Sequence, residues 1–200
     1  WTHWDVTAPT ETHWNVSTYN QSNPFNHAAW CGDLNFPPCD EEDPAGGYGD
    51  GWHDLIEFRY TVPYPEATTT VTVTATLLHD SEPGFDFTSL SYRYDGQPLD
   101  SVEYWDGTGT ADVMESITYL PAEYLGGTDI AVYFRFKSDS GWSDADCQFP
   151  SAGGCQVDDI NVHLVNGAYT GDHFEDFEHG GDPDDFGIWN VAFPDGVGDF

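Results

Sequence analysis

The sequence predicts an all-β chain: a two-sheet antiparallel β-sandwich of the jelly-roll kind. Three observations lead there. Apolar and polar residues alternate with a period of two along several segments. Clusters of Gly, Pro, Asp and Asn separate those segments. No ten-residue stretch combines a helical apolar stripe with a cap. Short strands joined by such loops close into a sandwich or barrel.

In chain order, the first strand expected is Leu55 to Val62. Thr70 to Leu77 follows and is the clearest, with threonines on one face and Val71, Val73, Ala75 and Leu77 on the other. That pattern belongs to a half-buried antiparallel strand. Ser89 to Tyr94, Ser101 to Trp105 and Val113 to Tyr119 come next. Ile130 to Lys137 sets Ile130, Val132, Phe134 and Phe136 against Arg135 and Lys137, and Gln156 to Val165 closes the series. Residues 31–54 break the rhythm and read as a long ordered or cation-tied loop. Residues 1–165 are therefore expected to form the sandwich. Residues 166–200, acidic and without Lys or Arg, read as an extension. Within it Phe174 to Glu178 is expected to add a strand to its own domain or to a neighbouring copy, with Phe174, Phe177 and Trp189 as assembly contacts.

Charge excludes several functions. The 200 residues hold 36 Asp+Glu against four Lys+Arg, a net charge of -32. Four cations cannot build a nucleic-acid face, and an anionic bilayer would repel the chain. No apolar run approaches the ~20 residues of a spanning helix, so no membrane insertion is expected. Disorder, the usual reading of such acidity, conflicts with eight Trp, 11 Tyr and 13 Phe, enough aromatic mass for a core. Carboxylates this dense repel one another in a folded body. Salt or divalent cations must screen or bridge them.

Cys31, Cys39, Cys147 and Cys155 form two pairs, each enclosing seven residues. The short, turn-rich spacers favour Cys31–Cys39 and Cys147–Cys155 disulfides, each stabilising by roughly 2–3 kcal/mol through loop closure. A zinc site would want shorter spacers. Disulfides imply an oxidising, extracellular or cell-surface location. Asn15-Val16-Ser17 and Asn20-Gln21-Ser22 are formal glycosylation acceptors.

Three acidic clusters matter: Asp80, Glu82 and Asp86 directly after one strand; Asp139, Asp144 and Asp146 directly after another; Asp158 and Asp159 in the last core strand. Ca2+ takes roughly six to eight hard oxygens, mostly from loop carboxylates, carbonyls and water. Glu82 and Asp86 are expected to meet Asp139, Asp144 or Asp146 at one site, with Asp50 and Asp158 or Asp159 at a second. Asp159 would share a strand face with Val157 and Asn161, where an aspartate needs a partner or a metal. No His-Glu-x-x-His, Gly-x-Ser-x-Gly or phosphate-binding Gly-Lys-Ser/Thr loop is present. The eight histidines are scattered without metal-ligand spacing. Most tryptophans are expected in the core.

The run Val132-Tyr133-Phe134-Arg135-Phe136-Lys137-Ser138-Asp139-Ser140-Gly141-Trp142-Ser143-Asp144, followed by Gly153-Gly154-Cys155-Gln156-Val157-Asp158-Asp159-Ile160-Asn161-Val162, resembles secreted bacterial MAM-like, concanavalin-like jelly-roll modules. Such modules are appended to immune-inhibitor-type metallopeptidases and to large surface proteins. Trp30-Cys31-Gly32, Gly47 to Trp52 and Asp80 to Asp86 look like the rest of that pattern, and the resemblance spans roughly residues 1–165. It implies a sandwich with structural Ca2+ and no catalysis of its own. Modules of this look open with a Phe-Glu-x-Phe-Glu strand. Here the comparable segment, Phe174 to Glu178, stands near the other end, so the strand is expected either from a longer array or in trans.

The expected function is a non-catalytic, calcium-stabilised extracellular building block whose partners are copies of itself or neighbouring modules. The alternative is a carbohydrate-binding or adhesive module that recognises glycans through an aromatic face.

Overall fold

The alternation read at Thr70 to Leu77 lies within one of the two longest strands of its sheet. Val71, Val73, Ala75 and Leu77 are buried, while the intervening threonines face outward. The computed structural model describes residues 13–19, 25–40, 45–94, 100–120, 129–179 and 185–192. Trp1, Trp4 and the Asn20 acceptor lie outside these residues. Among the described residues there are eleven strands: β1 (Trp14–Ser17), β2 (Ala28–Cys31), β3 (His53–Thr61), β4 (Thr69–Ser81), β5 (Phe87–Tyr94), β6 (Asp100–Trp105), β7 (Gly107–Tyr119), β8 (Asp129–Lys137), β9 (Cys155–Asn166), β10 (Tyr169–Glu175) and β11 (Asn190–Ala192). Among the described residues there is no helix, and so none long and apolar enough to cross a membrane.

Two antiparallel sheets result. One runs β1-β2-β9-β4-β7, with β10 also on β9, and the other runs β11-β3-β8-β5-β6. The pairing is nested: β5 with β6, β4 with β7, β3 with β8 and β2 with β9. This is one long hairpin rolled over so that successive segments fall in alternate sheets, the jelly-roll arrangement. Inward side chains of both sheets fill the space between them, including Ile56, Phe58, Val132, Phe134 and Phe136 from one and Val71, Val73, Leu77, Val162 and Leu164 from the other. Trp14, Trp30 and Trp189 are buried, which places aromatic mass where longer aliphatic chains are scarce.

The described residues after Asn166 are continuous with the sandwich. Gly167, at a φ of +60°, turns the chain so that β10 returns along β9, Tyr169 opposite Asn166 and Glu175 opposite Ile160. β11 then pairs with β3 in the other sheet. The boundary expected at residue 165 therefore cuts through β9. The expected Phe174–Glu178 strand stops at Glu175, because Phe177 adopts a left-handed φ of +55°. Phe177 and Trp189 are buried, and Trp189 packs on Phe58 and Phe134 at centroid distances of 5.9 and 5.8 Å. These two aromatics fill the core of their own chain. Only Phe174 remains exposed.

The expected disulfides are also corrected. Cys39 pairs with Cys147 at a Cα separation of 5.3 Å. Both sit in loops that meet at one end of the sandwich, whereas Cys31 and Cys155 lie in facing strands of the core. Equal spacing along the chain carried no information about which loops converge. Asn15, a formal glycosylation acceptor, uses its amide to donate to the carbonyls of His13 and Gly32.

Candidate metal centre

The end of the sandwich that carries the acidic loops is set by strand register. Phe87 of β5 stands opposite Lys137 of β8, so the residue before β5 and the residues after β8 emerge side by side. The connection from β4 to β5 is a turn closed by the Asp86 amide donating to the Glu82 carbonyl at 3.1 Å. It aims both acids toward the β8 exit. There the Asp139 amide donates to Asp86 Oδ1 at 2.7 Å. The loop before β3 packs alongside. Tyr48 donates its hydroxyl to Asp86 Oδ2 at 2.7 Å and accepts the Glu82 amide at 3.0 Å.

One carboxylate oxygen from each of Glu82, Asp86 and Asp139 lies within 4.8 Å of the other two. Asp86 is fully buried, and Asp139 is exposed. Burial raises the Asp86 carboxyl above its ordinary range, and Asp139 and Asp50 add to the rise, against the hydrogen bonds from Tyr48 and the Asp139 amide. Glu82 is raised by desolvation and then by Asp86, Asp139 and Asp146. None of these causes involves a basic group. Each ionised oxygen of Asp86 keeps a lone pair beyond the hydrogen bond it accepts. An all-oxygen donor set with open positions suits a hard divalent cation and not zinc. Glu82, Asp139, Ser140 and Gly141, with the exposed rings of Phe85 and Trp142, line an open pocket of about 490 Å³. Trp142 holds a left-handed φ of +64°, a costly conformation for a bulky residue.

The chain matches no protein-family model and no curated protein.

The remaining sequence candidates do other work. Asp144 is buried and accepts from the Tyr48 amide and from both the amide and hydroxyl of Ser151. Gly47 is required beside it, since a Cβ there would stand 1.9 Å from Asp144 Cγ. Asp146 ties its own loop by accepting from the amides of Trp142, Ser143 and Gln148. Asp50 accepts the Ser143 hydroxyl, and Asp80 accepts from Thr108 and from the Ala152 amide. These acids fasten loops through donors that a basic side chain would otherwise supply.

Asp158 and Asp159 do not join Asp50. A bulge in β9, opposite Thr74 to Thr76, gives Asp159 a φ of +50° and turns it to solvent. Val157 and Ile160 are both buried as a result, so the expected shared face of Val157, Asp159 and Asn161 is absent. Asp158 accepts from Asn26 and from the Asp159 amide.

Sequence reasoning missed a second acidic group, Glu175, Asp176 and His179. Buried Glu175 accepts from the amides of Phe177 and Ile188 and contacts His179 at 2.6 Å. It is a clasp that binds the end of β10 to the segment before β11. The Glu-to-His spacing of four was the available signal. Its meaning depended on Gly187, where a Cβ would stand 1.9 Å from Glu175 Oε2. The histidines read as scattered have a common use: His13, His27, His163 and His179 each contact a carboxylate, of Asp54, Glu178, Asp172 and Glu175 respectively. Each imidazole gives its carboxylate a side-chain hydrogen-bond partner in a chain with four Lys and Arg.

All four basic residues occupy one surface. The ladder rows Arg59–Ala131–Arg93, Leu55–Arg135–Ser89 and His53–Lys137–Phe87 put Arg59, Arg93, Arg135 and Lys137 on the outer face of the β3-β8-β5 sheet. Arg59 is held there by Glu57 at 2.8 Å.

Proposed function

We propose that the chain is a non-catalytic, calcium-stabilised extracellular module with a structural role. The observation that carries this reading is the convergence of Glu82 and Asp86 with Asp139 from a loop more than fifty positions away. Ca2+ bound there would join the β4–β5 turn to the β8 exit and neutralise charges that repel one another. The Cys39–Cys147 bond supports an oxidising compartment. The resemblance to secreted jelly-roll modules points the same way.

Self-assembly remains part of this reading, with a different contact from the one the tail suggested. The gathering of every cation on one sheet face, in a chain of net charge -32, supports a contact between that face and an acidic surface of a second copy. A head-to-tail contact of this kind propagates unless its rotation closes a ring. Electron microscopy and analytical ultracentrifugation of the chain, with Ca2+ and with chelator, test both halves. Calcium-dependent oligomers that dissociate on Lys137→Glu support the reading. A monomer under all conditions, with no calcium effect on melting, refutes it.

A second reading, a carbohydrate-binding or adhesive module, is favoured by the exposure of Phe85 and Trp142, 60% and 56%, beside the carboxylates. Aromatic faces at the rim of a polar pocket provide stacking surfaces for sugar rings. A glycan array with the wild type and Trp142→Ala separates the two readings.

A further inference from the structure

Cys31 and Cys155 are directly opposed in the antiparallel pair of β2 and β9, between Trp30 opposite Gln156 and the 2.9 Å hydrogen bond from the Gly154 amide to the Cys31 carbonyl. Both side chains enter the core between the sheets, and both are fully buried. Opposed residues of an antiparallel ladder stand about 4.5–5.5 Å apart at Cα. That lies inside the roughly 4.4–6.8 Å range that disulfides span. The same chain already carries a disulfide between two loops, Cys39–Cys147, so the compartment that keeps it closed oxidises this pair as well.

We propose that Cys31 and Cys155 are a dithiol site that closes into a second, cross-strand disulfide, pinning β2 to β9 inside the core. The oxidant is a disulfide of the glutathione class or of an oxidoreductase. One cysteine thiolate attacks a sulfur of that disulfide, breaks its S–S bond and displaces a thiolate. The partner cysteine thiolate then attacks the mixed disulfide and displaces the second. The protein gains one S–S bond, the oxidant is reduced to two thiols, and the two protons lost by the cysteines end on those thiols.

Burial dictates when this happens. It raises both thiols, Cys155 to about 12 and Cys31 well above its ordinary range, so few thiolates exist in the closed sandwich. Neither sulfur is open to a reagent once the sheets have met. Closure belongs to folding, while β2 is still joining β9, and the finished bond is then shielded. Cys147 is exposed and Cys39 half-buried, so the two disulfides differ in access to reductant.

The test uses the whole chain, unfolded, fully reduced, and refolded in a mixture of reduced and oxidised glutathione. The expected product is four hydrogen atoms lighter than the reduced chain. Its non-reducing peptide map contains a Cys31–Cys155 peptide beside the Cys39–Cys147 peptide. A mild reductant applied to the native product opens Cys39–Cys147 first and reaches Cys31–Cys155 only when denaturant is added. A refolded chain in which alkylation under denaturing conditions labels both Cys31 and Cys155 overturns the proposal. So does a map joining Cys31 to Cys39 or to Cys147. Because the mapping needs no substitution, a variant's failure to fold cannot obscure the result.

Discussion

Tyr48 donates its hydroxyl to Asp86 at 2.7 Å, and both residues are fully withdrawn from solvent. The loop before β3 thereby orients a carboxylate of the candidate metal centre on the turn before β5. The same hydroxyl accepts the Glu82 amide, so one phenol positions two of the three acids. Replacing Tyr48 by Phe removes a hydrogen bond to a charged acceptor, a loss of about 1.5–3 kcal/mol. Urea unfolding in chelator is expected to show a decrease of that size, and Ca2+ affinity is expected to fall because Asp86 is no longer held.

Calcium removal is expected to lower the melting temperature at constant ionic strength, since a ligand bound only by the folded state stabilises as its concentration rises above its dissociation constant. Asp86→Asn is expected to abolish that increment. Asp159→Asn, at an exposed bulge position, is expected to retain it. Differential scanning calorimetry with Ca2+ and Mg2+ reads both effects. Equal melting shifts in wild type and Asp86→Asn would show that general charge screening is at work.

The chelated chain is expected to become more stable as pH falls toward the ordinary carboxylate range. Asp144 and Asp158 have carboxyls raised by burial, so they bind protons in the folded state before they do in the unfolded one. With the folded state binding more protons, stability rises as pH drops through those raised values. His179, raised mainly by its hydrogen bond to Glu175, acts in the same direction. Below the ordinary carboxylate range the trend reverses. Asp146, Asp172 and Glu178 are lowered, and protonating them removes hydrogen-bonded carboxylates. A series of urea midpoints against pH is expected to pass through a maximum on the acid side of neutrality.

Opening the Cys39–Cys147 bridge by Cys39→Ser with Cys147→Ser is expected to cost about 2–5 kcal/mol. The bond closes a separation of 108 residues and ties the loop of Cys39 to the loop of Asp144 and Asp146. Calcium affinity, measured by titration calorimetry, is expected to weaken with it, because Asp139 leaves β8 in that loop.

Trp189→Ala is expected to cost about 3–5 kcal/mol, the range for removing a large buried aromatic. Truncation after Val165 removes β10 and β11 with Phe177 and Trp189, and leaves Phe58 and Phe134 without their cover. The truncated chain is expected to lose cooperative unfolding, as followed by near-ultraviolet circular dichroism. A truncated chain that melts like the full one would mean that the tail packs elsewhere.

The sequence by itself determined most of the strands: β3 to β9 were all legible, because alternation is a local consequence of the strand's period of two. β1, β2 and β11 were not, since strands of three or four residues show too few repeats, and all four positions of β2 are buried. The acidic loops were visible in composition and position. Which acids meet was decided by register: opposing Phe87 to Lys137 brought Glu82 and Asp86 to Asp139, while Asp144 was taken into backbone hydrogen bonds. Cysteine pairing was decided the same way, because equal spacers say nothing of distance through space. Only the folded sandwich sets β2 beside β9 and the Cys39 loop beside the Cys147 loop. One side chain beyond the pattern, the bulge at Asp159, turned an expected inward acid to water. Periodicity reports a residue's face within its own strand, but contacts between strands are set by how the whole hairpin rolls up.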